Sequence, residues 1–227
     1  MSLDMLAPLV LLGALFGLDV VSFPQAMLSR PIVAATIAGV LAGRPESGLL
    51  AGAALELIAL ETLPFGASRY PEWGSASVVG GALFAMQPDG RAGALSLALL
   101  GALATAWIGG GSMVALRRLN GRLARGQRDA IGAGHWPAVR NLMVGGIGAD
   151  LLRGGAITLV ALFAMVPIMQ ATLGSWTLDP RTSRAVSVAV LAAVAAGACW
   201  KLFRPSPVAR WIFVGSVAAG VVLLALQ

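Results

Sequence analysis

The sequence predicts an all-α integral membrane protein, a multi-span bundle that includes short broken or re-entrant helices. Of the 227 residues, 58% are hydrophobic and only 11% are charged, whereas soluble domains carry roughly 25% charged residues. The apolar residues fall in runs long enough for several crossings, since one crossing takes about 20 residues. No stretch is left over for a soluble module, so residues 1–227 are expected to form a single polytopic membrane domain.

The first part of the chain, residues 18–91, is predicted to contain the re-entrant helices and the substrate path. Pro24 interrupts the apolar run 5–29, because proline cannot continue a helix. The run 31–43 is short for a crossing at about 1.5 Å per residue, which predicts a half-helix. Segment 65–77 places Gly, Pro and charges in membrane-like surroundings. Such backbone is tolerated only inside protein or beside water.

The remaining chain is predicted to hold longer spans. Residues 92–116 carry no charge and form the clearest span. Residues 117–140 contain six arginines against one acid, which predicts a basic cytoplasmic loop that includes a surface-lying amphipathic helix. Residues 141–227 are expected to form the C-terminal spans, with glycines loosening the first of them. The whole chain then has four or five full crossings and two or three short segments.

Glu56 is the leading candidate for a functional residue. A charge at the centre of a bilayer is costly, so an acid there needs a partner, a cavity or a proton. Gly48, Gly52 and Glu56 recur every four residues on one helical face. Because glycines let another backbone approach, this face is expected to turn Glu56 toward protein. The alternative is a structural acid kept neutral by one hydrogen bond.

Asp19, Gln25, Ser29 and Arg30 form a second polar group around the proline breaks. Their side chains offer both donors and acceptors, which suits the paired hydroxyls of a sugar. Arg30 either neutralises an acid such as Glu56 or ends a broken segment near the membrane interface. These two interpretations remain open at this point.

The other ionisable residues indicate no enzyme mechanism. Asp150 and Arg153 are three residues apart and are expected to neutralise each other at a helix entrance. Cys199 is the single cysteine and His135 the single histidine, so no disulfide, metal site or metal cofactor is expected. Residues 109–111 are glycines without a phosphate-binding context. The net charge of +6 is assigned to membrane topology and not to nucleic acid.

Residues 18–72 resemble the N-terminal region of the membrane IIC subunit of mannose/fructose/sorbose-type phosphotransferase systems. The shared elements, in order, are an Asp, the stretch QAMLSRP, a Gly-rich short segment, the helix GLLAGAALEL and the loop PFGASRYPE. The resemblance implies the mannose-type IIC fold and a hexose-class substrate. It also implies a IID membrane partner, together with soluble IIA and IIB proteins that pass phosphate to the sugar.

The resemblance further implies which residues lie near the sugar path. Carried over by position, these are Gln25, Arg30, Glu56 and the loop 66–72. Together with the polar group described above, the expected substrate-binding residues are Asp19, Gln25, Ser29, Arg30, Glu56, Ser68 and Glu72, and the expected structural glycines are Gly48, Gly52 and Gly66.

The expected function is sugar translocation across a bacterial cytoplasmic membrane, in a homo- or hetero-oligomer. The alternative is a degenerate homologue that serves as an accessory subunit of another membrane complex, because Arg44 stands where members usually carry an acid.

Overall fold

A computed structural model of the protein describes residues 3–60, 68–87, 91, 93–175 and 178–225, and these residues form α-helices and no strands. The all-α prediction is therefore confirmed. The predicted structural residue Gly66 lies outside the described residues. The helices are α1 (Leu3–Asp19), α2 (Pro31–Leu41), α3 (Pro45–Ala59), α4 (Trp73–Ala85), α5 (Ala94–Gly126), α6 (Arg128–Gly132), α7 (Trp136–Gly174), α8 (Pro180–Phe203) and α9 (Pro207–Ala225).

Three helices are long and apolar enough to cross a membrane among the residues described, namely α5, α7 and α8. They contain 33, 39 and 24 residues. At about 1.5 Å per residue, α5 and α7 are longer than a hydrocarbon core of about 30 Å. The helices α1 and α9 are shorter, with 17 and 19 residues, so the count of four or five crossings stays a prediction.

Two stretches differ in secondary structure from what the sequence suggested. Segment 117–140 is mostly helical, because α5 continues to Gly126 and α7 already begins at Trp136, and its position on the cytoplasmic side stays a prediction. Arginine and leucine are good helix formers, so the span has no reason to end at the first charge. The loosened start of segment 141–178 is also absent, since α7 runs unbroken through its glycines. Each glycine costs a helix only about 1 kcal/mol.

The helices α2 and α3 form a hairpin that is too short to cross. They contain 11 and 15 residues, about 17 and 23 Å. Each begins with a proline in its first turn, where the missing N–H has no cost. Gly43 follows α2 with a φ of +76°, a conformation that favours glycine. A Cβ at Gly39 would lie 2.7 Å from the Cα of Gly48. The half-helix predicted at 31–43 is therefore confirmed.

The short helix α4 occupies the centre of the protein. All of its side chains except Phe84 are buried, and it packs against α1, α2, α3, α5 and α7. Small residues in α4 allow its neighbours to approach closely. A Cβ at Gly74 would lie 2.9 Å from the N of Gly17 in α1, and one at Gly81 would lie 2.6 Å from the Cα of Ala35 in α2. In contrast, α8 and α9 expose most of their apolar side chains, as lipid-facing helices do.

Candidate functional site

Two glycines of α3 bring the backbone of α2 close to Glu56. A Cβ at Gly48 would lie 2.8 Å from the Cα of Gly39, and one at Gly52 would lie 2.9 Å from the Cα of Ile32. One turn later, Oε2 of Glu56 accepts a hydrogen bond of 3.2 Å from the backbone N of Ile32. The carboxylate thus lies at the N-terminus of α2, where the helix dipole favours negative charge.

Arg30 forms an ion pair with the other carboxylate oxygen of Glu56. Of the two interpretations open for Arg30, the structure shows pairing with an acid. The Arg30 side chain is 50% exposed and that of Glu56 is 15% exposed, so the pair itself adds only about 0 to 1 kcal/mol of stability. Both contacts of Glu56 tie the start of α2 to α3.

Asp19 ends α1 and organises the segment that leads to α2. Its buried carboxylate accepts hydrogen bonds from the backbone N of Ala26 at 2.7 Å and of Ser29 at 2.8 Å. Between these contacts Gln25 and Met27 adopt φ values of +59° and +61°, a left-handed conformation that costs non-glycine residues of order 1 kcal/mol or more. Gln25 is exposed, and its amide donates to a carbonyl four residues earlier.

The segment 68–72, here called the α4 leader, lies across three consecutive glycines of α5. A Cβ at Gly109 would lie 2.9 Å from the Cβ of Glu72, and one at Gly110 would lie 3.1 Å from the carbonyl carbon of Tyr70 and nearer still to its oxygen. The N of Glu72 donates to the carbonyl of Ala106 at 2.9 Å. The triple glycine is therefore the surface on which this non-helical segment rests.

Two arginines fasten the α4 leader to α5. The guanidinium of Arg69 lies 4.5 Å from the ring centroid of Trp107 and donates to the Trp107 carbonyl at 3.2 Å. Arg117 donates to the carbonyl of Ser68 at 3.1 Å and to the hydroxyl of Tyr70. The bond from Arg117 satisfies the carbonyl of Ser68, which lies outside the helices, as membrane-embedded backbone requires.

Glu72 is the most deeply buried acid among the residues described, with 0% exposure. It caps α4, because its Oε1 accepts a hydrogen bond of 3.0 Å from the N of Ser75. Its Oε2 is buried without a partner in the described structure. A buried acceptor left unsatisfied costs about 1 to 3 kcal/mol, so this oxygen is suited to accept a hydrogen bond from a ligand hydroxyl.

Asp150 and Arg153 form a buried ion pair that joins three helices. The two side chains are 5% and 8% exposed, and Arg153 Nε lies 2.8 Å from Asp150 Oδ1. Ser22 donates to the other oxygen of Asp150. Arg153 also donates to the hydroxyl of Ser112 at 3.3 Å and to the carbonyl of Gly17 at 3.4 Å. The predicted pairing is present, but it lies inside the bundle and not at an exposed helix entrance.

A cavity of about 270 Å³ opens beside this pair, between α5, α7 and the segment after α1. Its polar lining comes from Ser22, Arg117, Asn120 and Asp150, and the rest is mostly apolar.

The sequence contains the Asp150–Arg153 pair and the glycine triplet 109–111 in plain view, but it does not show which segments they contact. The one local signal for the triplet was the presence of three glycines inside an otherwise apolar helix.

The predicted site residues therefore fall into two groups. Asp19, Gln25, Ser29, Arg30 and Glu56 lie around the start of α2, while Ser68 and Glu72 lie in the α4 leader. The hydrogen bonds and the ion pair that link the first group do not involve Ser68 or Glu72 in the described structure. Within the same residues, no three His, Cys, Asp or Glu side chains are grouped to hold a metal ion.

Comparisons with known proteins agree with the resemblance in the N-terminal region and extend it. The family model described as "PTS system sorbose-specific iic component" matches residues 5–226. A search of curated proteins found no match. A solved structure titled "Structure of membrane protein" has the same fold, with a TM-score of 0.69 and 16% identity over 100% of this chain and 92% of that chain. The chain therefore belongs to the sorbose-specific IIC family of the phosphotransferase system, whose members are sugar-transporting membrane subunits.

Proposed function

We propose that this chain is the sugar-translocating IIC subunit of a mannose-type permease in the bacterial cytoplasmic membrane. It works with a IID membrane subunit, and soluble IIA and IIB proteins supply the phosphoryl group. The family membership supports a sugar-transporting IIC subunit. The resemblance of residues 18–72 to the mannose/fructose/sorbose type supports the partners and the hexose-class substrate.

The unpartnered oxygen of Glu72 is the observation that carries the proposal. It lies at the centre of an apolar bundle, at the junction of the α4 leader and α4. A carboxylate accepts hydrogen bonds and donates none, so it pairs readily with sugar hydroxyls. We assign Glu72 to the sugar path, with Ser68 at the other end of the same segment.

The group around the start of α2 supports the path in a different way. Glu56 and Asp19 each bind backbone N–H groups of neighbouring segments, so they hold the short hairpin in place. Gln25 and Arg30 are the more exposed members. We propose that these two side chains face sugar entering or leaving the path, while the acids position them.

The arginines set the proposed orientation. Exposed arginines cluster at the end of α5, on α6 and at the start of α7, and positive charge beside membrane spans marks the cytoplasmic side. The soluble phosphoryl donors would then approach at this end of the bundle, here called the basic end. The expected phosphorylated histidines belong to those partners.

The test is sugar uptake with the partner subunits present. Glu72→Gln should lower uptake of L-sorbose, D-fructose or D-mannose, whichever is transported. A hydrogen bond to a charged group is worth about 1.5 to 3 kcal/mol, which corresponds to a loss of about 10- to 150-fold. Glu46→Gln removes an exposed acid in the first turn of α3 and is the matched control. Equal uptake by both variants would show that Glu72 does not bind the sugar on its path.

The variant Glu56→Gln tests the group around the start of α2 separately from Glu72. The amide oxygen can still accept from Ile32, while the pair with the half-exposed Arg30 is lost. We expect a smaller decrease in uptake than for Glu72→Gln, and unchanged uptake would remove Glu56 from the mechanism. Purification of the native protein tests the partner, since co-purification of an unrelated complex in place of a IID subunit would favour the accessory function.

A further inference from the structure

The cavity beside Asp150 is formed by segments of the bundle and lies at its basic end. Its walls come from α5, from α7 and from the segment after α1. Gly146 leaves room in the α7 wall, since a Cβ there would lie 3.5 Å from the amide nitrogen of Asn120. The volume of about 270 Å³ lies just below the range of about 300 to 1,000 Å³ found for drug-sized ligands. It therefore suits a smaller molecule.

The contacts between α5 and α7 show where the cavity lies along the length of the bundle. The helices α5 and α7 run antiparallel, with Gly101 beside Met165, Ser112 beside Arg153 and Asn120 beside Gly146. The charge-free part of α5 ends just before Arg117. Asn120 and Arg117 consequently lie where the apolar part of α5 ends, on the side where the exposed arginines begin.

The polar groups of the cavity are held in place and complement one another. Asp150 is 4% exposed and is fixed by Arg153 and Ser22. The amide of Asn120 makes no hydrogen bond to any residue that the structure describes, and it offers one acceptor and two donors. Arg117 also lines the cavity, with its two terminal nitrogens donating to Ser68 and Tyr70. The lining contains one acidic and one basic side chain and so has no net charge, which suits a neutral ligand with several hydroxyl groups better than an ion.

The remaining wall is apolar and contains methionine and leucine side chains, among them Met113 and Leu142. A pyranose or furanose ring has hydroxyl groups around its edge and C–H groups on its faces, so it matches a pocket with polar and apolar sides. We propose that this cavity is a second monosaccharide subsite, which the sugar occupies at the basic end after it leaves Glu72. The inference rests on the proposed transport function and adds a binding position to it.

The subsite is tested by thiol labelling in membrane vesicles that contain the full chain and its partner subunits. Cys199 is the single cysteine of this chain, so Cys199→Ser makes the chain free of cysteine, and labelling is measured on this chain after its separation from the partner subunits. Gly146→Cys then places a thiol in the cavity wall. Gly145→Cys is the matched control, because Gly145 is exposed with nothing within 4 Å of its Cβ position. A small methanethiosulfonate reagent labels each variant with and without the sugar found to be transported.

Sugar at ten times its dissociation constant should slow labelling of Gly146→Cys about tenfold by mass action and leave Gly145→Cys unchanged. Adding Asn120→Ala should weaken the protecting sugar affinity about 2- to 12-fold through loss of a hydrogen bond. Because the amide of Asn120 lies 3.5 Å from the Gly146 Cβ position, the affinity is taken from the sugar concentration that halves the labelling rate of each variant relative to its own rate without sugar. No protection, equal protection of both thiols, or protection that Asn120→Ala leaves unchanged would each overturn the subsite. Uptake without protection refutes the subsite alone, whereas absence of uptake in the unmodified protein refutes the transport function.

Discussion

Substitution of Gly110 by alanine should loosen the α4 leader from α5. The added Cβ would lie 3.1 Å from the carbonyl carbon of Tyr70 and nearer still to its oxygen. Both atoms belong to the backbone, so a side-chain rotation cannot relieve the overlap. Either the leader or the helix has to move, and Glu72 lies two residues after Tyr70.

The neighbouring Gly111 provides a control in the same helical turn. A Cβ there would lie 3.3 Å from the terminal Nη2 of Arg69, which is the far end of a flexible side chain. Alanine in a helix is favoured over glycine by about 1 kcal/mol, so Gly111→Ala should stabilise the protein slightly. Gly110→Ala has the same helix-propensity gain, but overpacking costs it about 1 to 3 kcal/mol, so its free energy of unfolding should lie about 1 to 3 kcal/mol below that of the control.

Thermal unfolding in detergent, followed by tryptophan fluorescence, measures this difference. For chains of 150 to 250 residues, 1 kcal/mol corresponds to about 2 to 4 °C in Tm, which gives an expected gap of about 2 to 12 °C between the two variants. Sugar uptake should fall with Gly110→Ala and not with Gly111→Ala. If Gly110→Ala melts at or above the temperature of Gly111→Ala, the leader does not rest on this glycine.

The remaining predictions concern ionisable groups. Arg153→Gln should destabilise the protein by about 3 to 5 kcal/mol, because it leaves Asp150 buried without its charged partner. The double variant Asp150→Asn/Arg153→Gln should recover much of the lost Tm. Equal Tm values for the single and the double variant would contradict a stabilising ion pair. The hydroxyl and then the backbone N of Thr182 hold the pKa of Asp179 below its ordinary value of 3.8. A lowered folded-state pKa means that this cap stabilises α8 fully above pH 3.8 and less as the pH falls through the lowered pKa. The Tm difference between the wild type and Asp179→Ala should therefore shrink between pH 6 and pH 3, and a constant difference would contradict it.

The sequence predicted the parts of the fold that depend on local composition. The α2 half-helix follows from an apolar run that is too short to cross, bounded by Pro31 and Gly43. The close approach of a second backbone to α3 follows from the spacing of Gly48 and Gly52, because a helical face of glycines admits one, and the structure identifies that backbone as α2. These features can be read from neighbouring residues, and the structure has both of them.

The buried pair on α7 could not be predicted in the same way. Its spacing suggests a local ion pair, and nothing nearby in the sequence shows that it is enclosed. Burial comes from Ser22, Gly17 and Ser112, which are 128, 136 and 41 residues away from the groups they contact. The continuation of α5 past Arg117 was missed for a related reason: charge indicates where the apolar layer ends, whereas helix propensity and hydrogen bonding decide where the helix ends.

The enclosure of α4 has a consequence for how the chain is assembled during synthesis. With 13 residues, about 20 Å long, this helix cannot reach across the bilayer, and nearly every face of it contacts another helix. One of those neighbours, α7, begins 51 residues after α4 ends. Until α7 has emerged, Ser75 lacks its α7 neighbour Gly154, and the close approach of α1 to Gly154 cannot form. Before α7 is synthesised, the helices of the first half of the chain therefore lack part of their packing surface in the membrane. The bundle around Glu72 is complete only when α7 has packed against α1 and α4.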